Sequence, residues 1–136
     1  MAEKNFQLDI VTPARTVYSG EVKSFTAPGV VGNFQVLFNH APLLSAIGIG
    51  EIKVVDAAGT VTRFATGGGF VEVKGNKVIL LAESAESDAE INVDRAKRAK
   101  DRASERLAKR QSDTDVDRAR VALQRSLNRL KIASKQ

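Results

Sequence analysis

Hydrophobic and polar residues alternate in short runs along the first two thirds of the chain. Phe6, Leu8 and Ile10 are separated by Gln7 and Asp9, which is the period of a strand with one buried face. Such runs recur about every ten residues, and none has the period of a helix. The turn signals between the runs are Ser19-Gly20, Pro28-Gly29, Gly32-Asn33, Asp56–Gly59 and Gly75-Asn76. This pattern predicts an all-β domain, either a sandwich or a barrel.

The pattern changes after residue 92, where apolar residues recur at the three- and four-residue intervals of a helix face. Asn92 and Asp115 are placed to cap two helices, predicted over about 93–110 and 116–133. The predicted seam between these helices consists of Ala96, Ala99, Ala103, Leu107, Val116, Ala119, Leu123, Leu127 and Leu130.

The chain is therefore predicted to have a β domain over 1–86 and an antiparallel helical hairpin over 87–136. The hairpin seam is rich in alanine, and burying even a leucine contributes only ~1.5–3 kcal/mol. Ordering the backbone costs ~1–2 kcal/mol per residue. The hairpin is thus expected to be marginally stable by itself, which suits an element that opens.

The charge of the chain is divided unevenly between these two parts. Residues 1–92 contain 7 basic and 10 acidic residues, whereas residues 93–136 contain 14 basic and 6 acidic residues. A basic segment of this kind indicates nucleic acid, a membrane surface or an acidic protein as its partner. The chain has no cysteine, and no apolar run is long enough to cross a membrane. No signal-peptide core precedes Phe6, so a mature protein that is not secreted is expected.

The composition of the helical segment favours an acidic protein as its partner. Residues 93–136 include no aromatic side chain on which a base could stack, and acidic residues are interleaved with the basic ones. The broad apolar face of a membrane-surface helix is also missing, so direct membrane insertion is not expected. A nucleic-acid-binding protein with a basic helical arm remains the alternative interpretation.

Catalytic chemistry has no candidate residues in this sequence. His40 is the single histidine, and no serine–histidine–aspartate set or carboxylate pair brackets it. Gly67-Gly68-Gly69 lacks the Gly-Lys-Ser/Thr ending of a phosphate-binding loop, so it is interpreted as the glycine-rich start of a strand. Metal-ligand spacing is absent as well. The prediction is a non-catalytic protein without a metal site.

Several segments taken together resemble the epsilon subunit of the rotary proton-translocating ATP synthase. They are Leu8–Pro13, Val17–Val22, Ala27–Gly32, Val36-Leu37, His40–Leu44, Gly68–Val73, Val78–Glu83 and Ile91–Ala96. The resemblance implies a sandwich of about ten strands followed by a helical hairpin. It also implies a non-catalytic rotor subunit in the central stalk, which couples proton flow to ATP synthesis.

The same resemblance implies the partners and the location of the chain. The partners are the gamma subunit and the c-ring, joined by the beta and alpha subunits when the hairpin extends and inhibits ATP hydrolysis. The complex is expected at the cytoplasmic face of the plasma membrane, with a thylakoid-type membrane as the other setting. No cofactor is required, and regulatory ATP is the one ligand that the resemblance suggests.

The resemblance also indicates which residues would form each contact. The residues expected at the c-ring are Asn33, Phe34 and Gln35, and those expected at gamma are His40, Ala41 and Pro42. An acidic partner is expected to meet Arg118, Arg120, Arg125, Arg129 and Lys131. The nucleotide site would consist of Glu86, Asn92, Arg95, Arg102, Arg125 and Arg129. Within it, Asn92 replaces the aspartate of the family motif, which keeps a helix cap but removes a carboxylate.

Overall fold

The protein is described by a computed structural model that covers residues 4–109 and 115–135. The chain divides into a β unit over Met1–Ser87 and a helical unit over Asp88–Gln136.

The described part of the β unit contains nine strands in a single sheet, against about ten expected from the resemblance. They are β1 Phe6–Val11, β2 Thr16–Gly29, β3 Gly32–Val36, β4 Leu43–Ile47, β5 Gly50–Asp56, β6 Val61–Thr66, β7 Gly69–Lys74, β8 Lys77–Ala82 and β9 Ala85–Ser87.

The long strand β2 joins the two layers of a sandwich. Its first half pairs with β1, and its second half pairs with β3 and β5. The path β1–β8–β7–β4 returns to β2 through Gly29 and Ile47, while β5, β6 and β9 continue the other layer. All neighbours are antiparallel except β1 and β8. The predicted fold class is confirmed.

The core consists of the inward-facing residues of both layers. The alternation in β1 is a burial pattern, because Phe6, Leu8 and Ile10 are buried while the residues between them are only partly covered. The other buried apolar side chains that form this cluster include Val22, Phe25, Val36, Ile52, Val54, Phe64, Val71, Val73, Val78 and Leu80. One interior therefore organises every strand of the unit.

Two of the predicted turns are confirmed as hairpins. The Asp56 carboxylate accepts hydrogen bonds at 2.9 Å from the backbone N–H groups of Ala58 and Thr60, which closes the β5–β6 turn. Gly75 and Asn76 connect β7 to β8 with φ angles of 57° and 59°. Glycine and asparagine are the residues that adopt this left-handed conformation most readily.

One predicted turn is wrong. Ser19-Gly20 lies inside β2, where Gly20 pairs with Leu8 and the Ser19 hydroxyl donates to the Asp9 carboxylate at 2.6 Å. Cross-strand pairing therefore overrides the local turn propensity of this dipeptide. Pro28-Gly29 and Gly32-Asn33 end β2 and begin β3, and they pair with each other on either side of the turn at residues 30–31.

The three glycines 67–69 lead into a strand, as predicted. The Gly67 and Gly68 N–H groups donate to the Ser84 carbonyl and the Thr66 hydroxyl, so they are not arranged around an anion. A Cβ atom on Gly69 would overlap the Leu81 carbonyl oxygen, which no side chain tolerates. Glycine at this position allows the close approach of β7 to β8.

The helical unit begins with a short 3₁₀ turn over Asp88–Glu90, followed by α1 Val93–Lys109 and α2 Val116–Ala133. Both predicted caps are confirmed. The Asn92 and Asp115 side chains each accept a hydrogen bond at 3.0 Å from the backbone N–H three residues later in the chain. Position 110, the predicted last residue of the first helix, and residues 111–114 of the connection between the two predicted helices lie outside the described residues.

The seam between the helices is as small as predicted, but one of its positions is wrong. Ala96, Ala103 and Ala119 are buried, whereas Leu127 is 49% exposed. Ser126 takes its place at 2% exposure, and its hydroxyl donates to the Ala122 carbonyl at 2.9 Å. Ile132 is the one large apolar side chain of α1 and α2 that is fully buried, and the other buried residues of these helices are alanine and serine. Alanine and serine contribute little apolar burial, so the packing between α1 and α2 has a small apolar content.

Candidate functional site

A row of outward-facing apolar residues crosses four strands of the β unit. Ala46 of β4 pairs with Phe70 of β7, Phe70 pairs with Leu81 of β8, and Leu81 pairs with Val11 of β1. Phe70 is 60% exposed and Leu81 is 58% exposed. These four residues, hereafter the apolar row, form a continuous surface of a kind that usually marks a protein interface.

A neighbouring row crosses the same four strands. Leu44, which is 74% exposed, pairs with Glu72, and Glu72 pairs with Ile79. On β1 this row ends at Asp9, which pairs with Ile79 and whose carboxylate accepts from Ser19 and from Gln7. Leu44 and Ile79 thus extend the apolar surface, while Glu72 and Asp9 give it the polar edge that interfaces usually have.

The predicted gamma-facing residues lie in the loop that leads into β4. His40 follows a turn in which its N–H donates to the Leu37 carbonyl. Its ring Nδ1 lies 2.7 Å from the Ala41 carbonyl, and because a carbonyl only accepts, Nδ1 carries the proton. Ala41 and Pro42 are exposed, and β4 starts at the next residue. This loop thus borders the surface that contains the apolar row.

The predicted c-ring residues Asn33, Phe34 and Gln35 lie on β3, paired with the end of β2. Val30 and Val31 form the tip of this hairpin and were not among the predicted residues, although Val31 is 98% exposed. A signal was available, because residues 24–50 contain no Asp, Glu, Lys or Arg. Charge depletion around exposed apolar residues is typical of interface cores.

The helical unit contains an open cleft between α1 and α2 with a volume of about 1160 Å³. Arginines line it from both helices: Arg102 and Arg106 from α1, and Arg118 and Arg125 from α2. The small residues Ala99, Ala103, Ala119 and Ala122 complete much of its wall, beside Asp115, Asp117 and Val121. A cleft with several guanidinium groups is suited to an anionic ligand.

The structure brings only part of the predicted nucleotide site into this cleft. Arg102 and Arg125 line it, whereas Arg95 and Arg129 are not among its lining residues. The Asn92 side chain caps α1 through the Arg95 N–H. Glu86 belongs to β9 of the other unit.

The basic residues predicted to meet an acidic partner occupy two flanks of α2. At about 100° per residue, Arg118, Arg125 and Arg129 project from one side of the helix, and Arg120 and Lys131 from the opposite side. Arg120 lies 3.7 Å from Asp117, a surface pair that contributes little. On α1, Glu105 pairs with Lys109 at 2.8 Å, and this hydrogen bond lowers the pKa of Glu105.

No group of three potential metal ligands occurs among residues 4–109 and 115–135. Within the same part of the chain, no helix is both long and apolar enough to cross a membrane.

Comparison with protein families gives two adjacent matches that cover nearly the whole chain. Residues 5–88 match the β-sandwich domain of the ATP synthase delta/epsilon chain, and residues 89–134 match its long α-helix domain. This chain belongs to the ATP synthase delta/epsilon chain family. The family predicted from the sequence is therefore confirmed, and nothing in the comparisons supports the nucleic-acid-binding alternative.

Relatives named ATP synthase epsilon chain are similar to this chain over most of their length. The Syntrophomonas wolfei protein is 43% identical over 135 residues, which cover 99% of this chain and 98% of the relative. The Nitratidesulfovibrio vulgaris protein is 47% identical over 130 residues, 96% of each chain. The Carboxydothermus hydrogenoformans protein is 49% identical over 110 residues, 81% of each chain.

Solved structures share the fold at low sequence identity. A chain of the Euglena gracilis mitochondrial ATP synthase, in a structure of OSCP, F1 and c-ring, matches with a TM-score of 0.80 and 19% identity. It covers 100% of this chain and 84% of that chain. A chain of the Tetrahymena thermophila central stalk and c-ring matches with a TM-score of 0.54 and 13% identity, over 99% and 98% of the two chains.

Proposed function

We propose that this chain is a non-catalytic rotor subunit of a proton-translocating ATP synthase, placed in the central stalk between the gamma subunit and the c-ring. The complex would hold it peripherally at a membrane, at the cytoplasmic face of a plasma membrane or in a thylakoid-type setting. The observation that carries the proposal is the apolar row, since a family member with such a surface needs a protein to cover it.

Each exposed part of the β unit has a role in this proposal. The apolar row and the adjoining His40–Pro42 loop contact gamma, while the β2–β3 hairpin contacts the c-ring through Val30, Val31 and the predicted residues of β3. Asn33 is uncharged, and residues 24–36 of that hairpin contain no Asp, Glu, Lys or Arg. Contact with the c-ring would therefore depend on packing and neutral hydrogen bonds.

The proposed role as a rotor subunit is tested by measuring how much proton uptake accompanies ATP hydrolysis with and without the chain. Membrane vesicles whose ATP synthase has been stripped of the chain should hydrolyse ATP with little proton uptake, because the stalk is no longer held on the ring. Adding the full chain should restore ATP-driven proton uptake, measured by quenching of a pH-sensitive dye. Equal uptake with and without the chain would refute the role, and an unrelated protein of similar pI controls for charge.

The helical unit supplies regulation in the same proposal. Its alanine- and serine-lined seam is weak enough for α1 and α2 to separate and extend toward the beta and alpha subunits. The arginines on the two flanks of α2 would then face acidic residues and oppose rotation in the direction of hydrolysis. Two states of similar free energy are what such a switch requires.

Regulatory ATP would bind the closed hairpin and favour it by mass action. In calorimetric titration of the full chain, we expect heat that fits one site with a dissociation constant at or below the millimolar range. Arg102→Ala together with Arg125→Ala should abolish this heat, because both guanidinium groups line the cleft. Lys97→Ala with Arg98→Ala removes equal charge outside the cleft and should leave it unchanged. Absence of heat from the wild-type chain at millimolar ATP would contradict the site.

A further inference from the structure

Two asparagines that are 37 positions apart form a reciprocal contact between two loops of the β unit. The Asn39 N–H donates to Asn76 Oδ1 at 2.7 Å, and Asn76 Nδ2 donates to Asn39 Oδ1 at 3.0 Å. Asn39 belongs to the loop between β3 and β4, and Asn76 belongs to the tight turn between β7 and β8. The pair, hereafter the asparagine clasp, thus ties a long loop to a short one.

The backbone is arranged around this contact at both residues. Asn39 and Asn76 have φ angles of 61° and 59°, and they are the two non-glycine residues with positive φ in the described part of the chain. Asn76 is fixed independently, because it completes the β7–β8 turn and its carbonyl accepts from the Gln7 N–H at 3.0 Å. The clasp therefore connects a loop without regular secondary structure to a turn that is held by the sheet.

The loop held by the clasp carries the residues proposed to contact gamma. It spans residues 37–42, has no regular secondary structure, and exposes Leu37 and Phe38 next to the half-buried His40 in sequence. Apart from the clasp, its described internal hydrogen bonds are the His40 N–H to the Leu37 carbonyl and the His40 ring to Ala41. A loop with so few restraints of its own would lose conformational entropy on binding.

We propose that the asparagine clasp is a positioning device, which holds the 37–42 loop in its binding conformation before the chain meets its partner. The inference rests on the proposed function, since it takes this loop as part of the gamma contact. Asn39 and Asn76 act through the loop and need not touch the partner. Ordering the loop in advance removes part of the entropic cost of association, so affinity should fall when the clasp is opened.

Asn76→Gly is the variant that opens the clasp with least disturbance. Glycine retains the positive φ and the backbone carbonyl of the turn, while both side-chain hydrogen bonds to Asn39 are lost. Asn39→Asp is the conservative variant, because a carboxylate still accepts from Asn76 and the backbone bond is unchanged. Asp56→Ala is the matched control, since it also removes two side-chain hydrogen bonds from a turn of the same unit.

Affinity is measured by equilibrium binding of each full chain to a catalytic F1 complex purified without it. Two hydrogen bonds of ordinary net strength correspond to about a tenfold change, so Asn76→Gly should bind about tenfold more weakly than the wild type. The Asn39→Asp and Asp56→Ala variants should bind within about twofold of it. Equal affinity of Asn76→Gly and wild type, or equal losses in all variants, would overturn the proposal.

Amide hydrogen exchange of the free chain tests the positioning step without any partner. In Asn76→Gly the Asn39 amide loses its acceptor, so exchange should accelerate at Asn39 and through the rest of the loop, while the β7 and β8 amides keep their protection. Unchanged exchange in the loop would overturn the clasp even if the chain binds F1. A wild-type chain that fails to bind F1 would instead refute the proposed function.

Discussion

Replacing Arg118, Arg120 and Arg125 with glutamine should raise ATP hydrolysis by the assembled complex several-fold relative to the wild-type chain. These residues lie on both flanks of α2, so an extended helix can present them to acidic residues on either side. One surface ion pair contributes only ~0–1 kcal/mol, so three acting together contribute at most about 3 kcal/mol. A change of about 3 kcal/mol shifts a two-state equilibrium by a factor of about 150.

The substitution is designed to change charge and little else. Glutamine has a helix propensity close to that of arginine, and the cap of α2 uses the backbone N–H of Arg118, which remains. Steady-state hydrolysis is measured in complexes reconstituted with equal amounts of each chain. The control replaces Lys4, Lys97 and Arg98, three exposed cations elsewhere, and should hydrolyse ATP at the wild-type rate. Hydrolysis unchanged in the arginine variant would sink the idea that α2 inhibits through its charge.

Local sequence signals were sufficient to predict the features that are formed by residues close together in the sequence. The caps at Asn92 and Asp115 and the turns at Asp56–Gly59 and Gly75-Asn76 depend on residues within four positions of each other. Alternation identified the strands of the core for the same reason. The family resemblance then supplied the order in which these elements assemble.

The errors occur where residues distant in sequence decide the outcome. Ser19-Gly20 has the composition of a turn, yet pairing with β1 keeps it within a strand. In α2, Leu127 was predicted at the seam, but Ser126 is buried in its place and Leu127 is exposed. Neither result can be derived from a window of a few residues.

The apolar row could not be predicted from the sequence for the same physical reason. Val11, Ala46, Phe70 and Leu81 lie on four separate strands, and each is unremarkable within its own segment. Only the pairing register places them side by side on one face. The asparagine clasp also depends on register, since Asn39 and Asn76 come together through the sheet.

Introducing lysine at Phe70 and Leu81 should abolish docking of the chain on its rotor partner while leaving the fold intact. Both side chains project outward from paired positions, so the substitutions cost the core nothing. At an interface each residue would lose ~1.5–3 kcal/mol of apolar burial. Each would also bring an unpaired charge into the contact, which costs more. The combined loss exceeds about 3 kcal/mol, or about a hundredfold in affinity.

A matched variant separates this surface from added charge in general. Thr60→Lys with Val61→Lys places one lysine at the end of the β5–β6 turn and one at the start of β6. Neither position belongs to the four strands of the apolar row. Thermal unfolding of both variants should match the wild type, because neither change reaches a buried side chain. The control should also keep full affinity.

Equilibrium binding of these three chains to the isolated gamma subunit is the most direct test of the claim that the β unit docks on the rotor through its apolar row. We expect the wild type and the Thr60/Val61 variant to bind alike, and the Phe70/Leu81 variant to bind at least about a hundredfold more weakly. A Phe70/Leu81 variant that is folded and binds gamma as tightly as the wild type would contradict it.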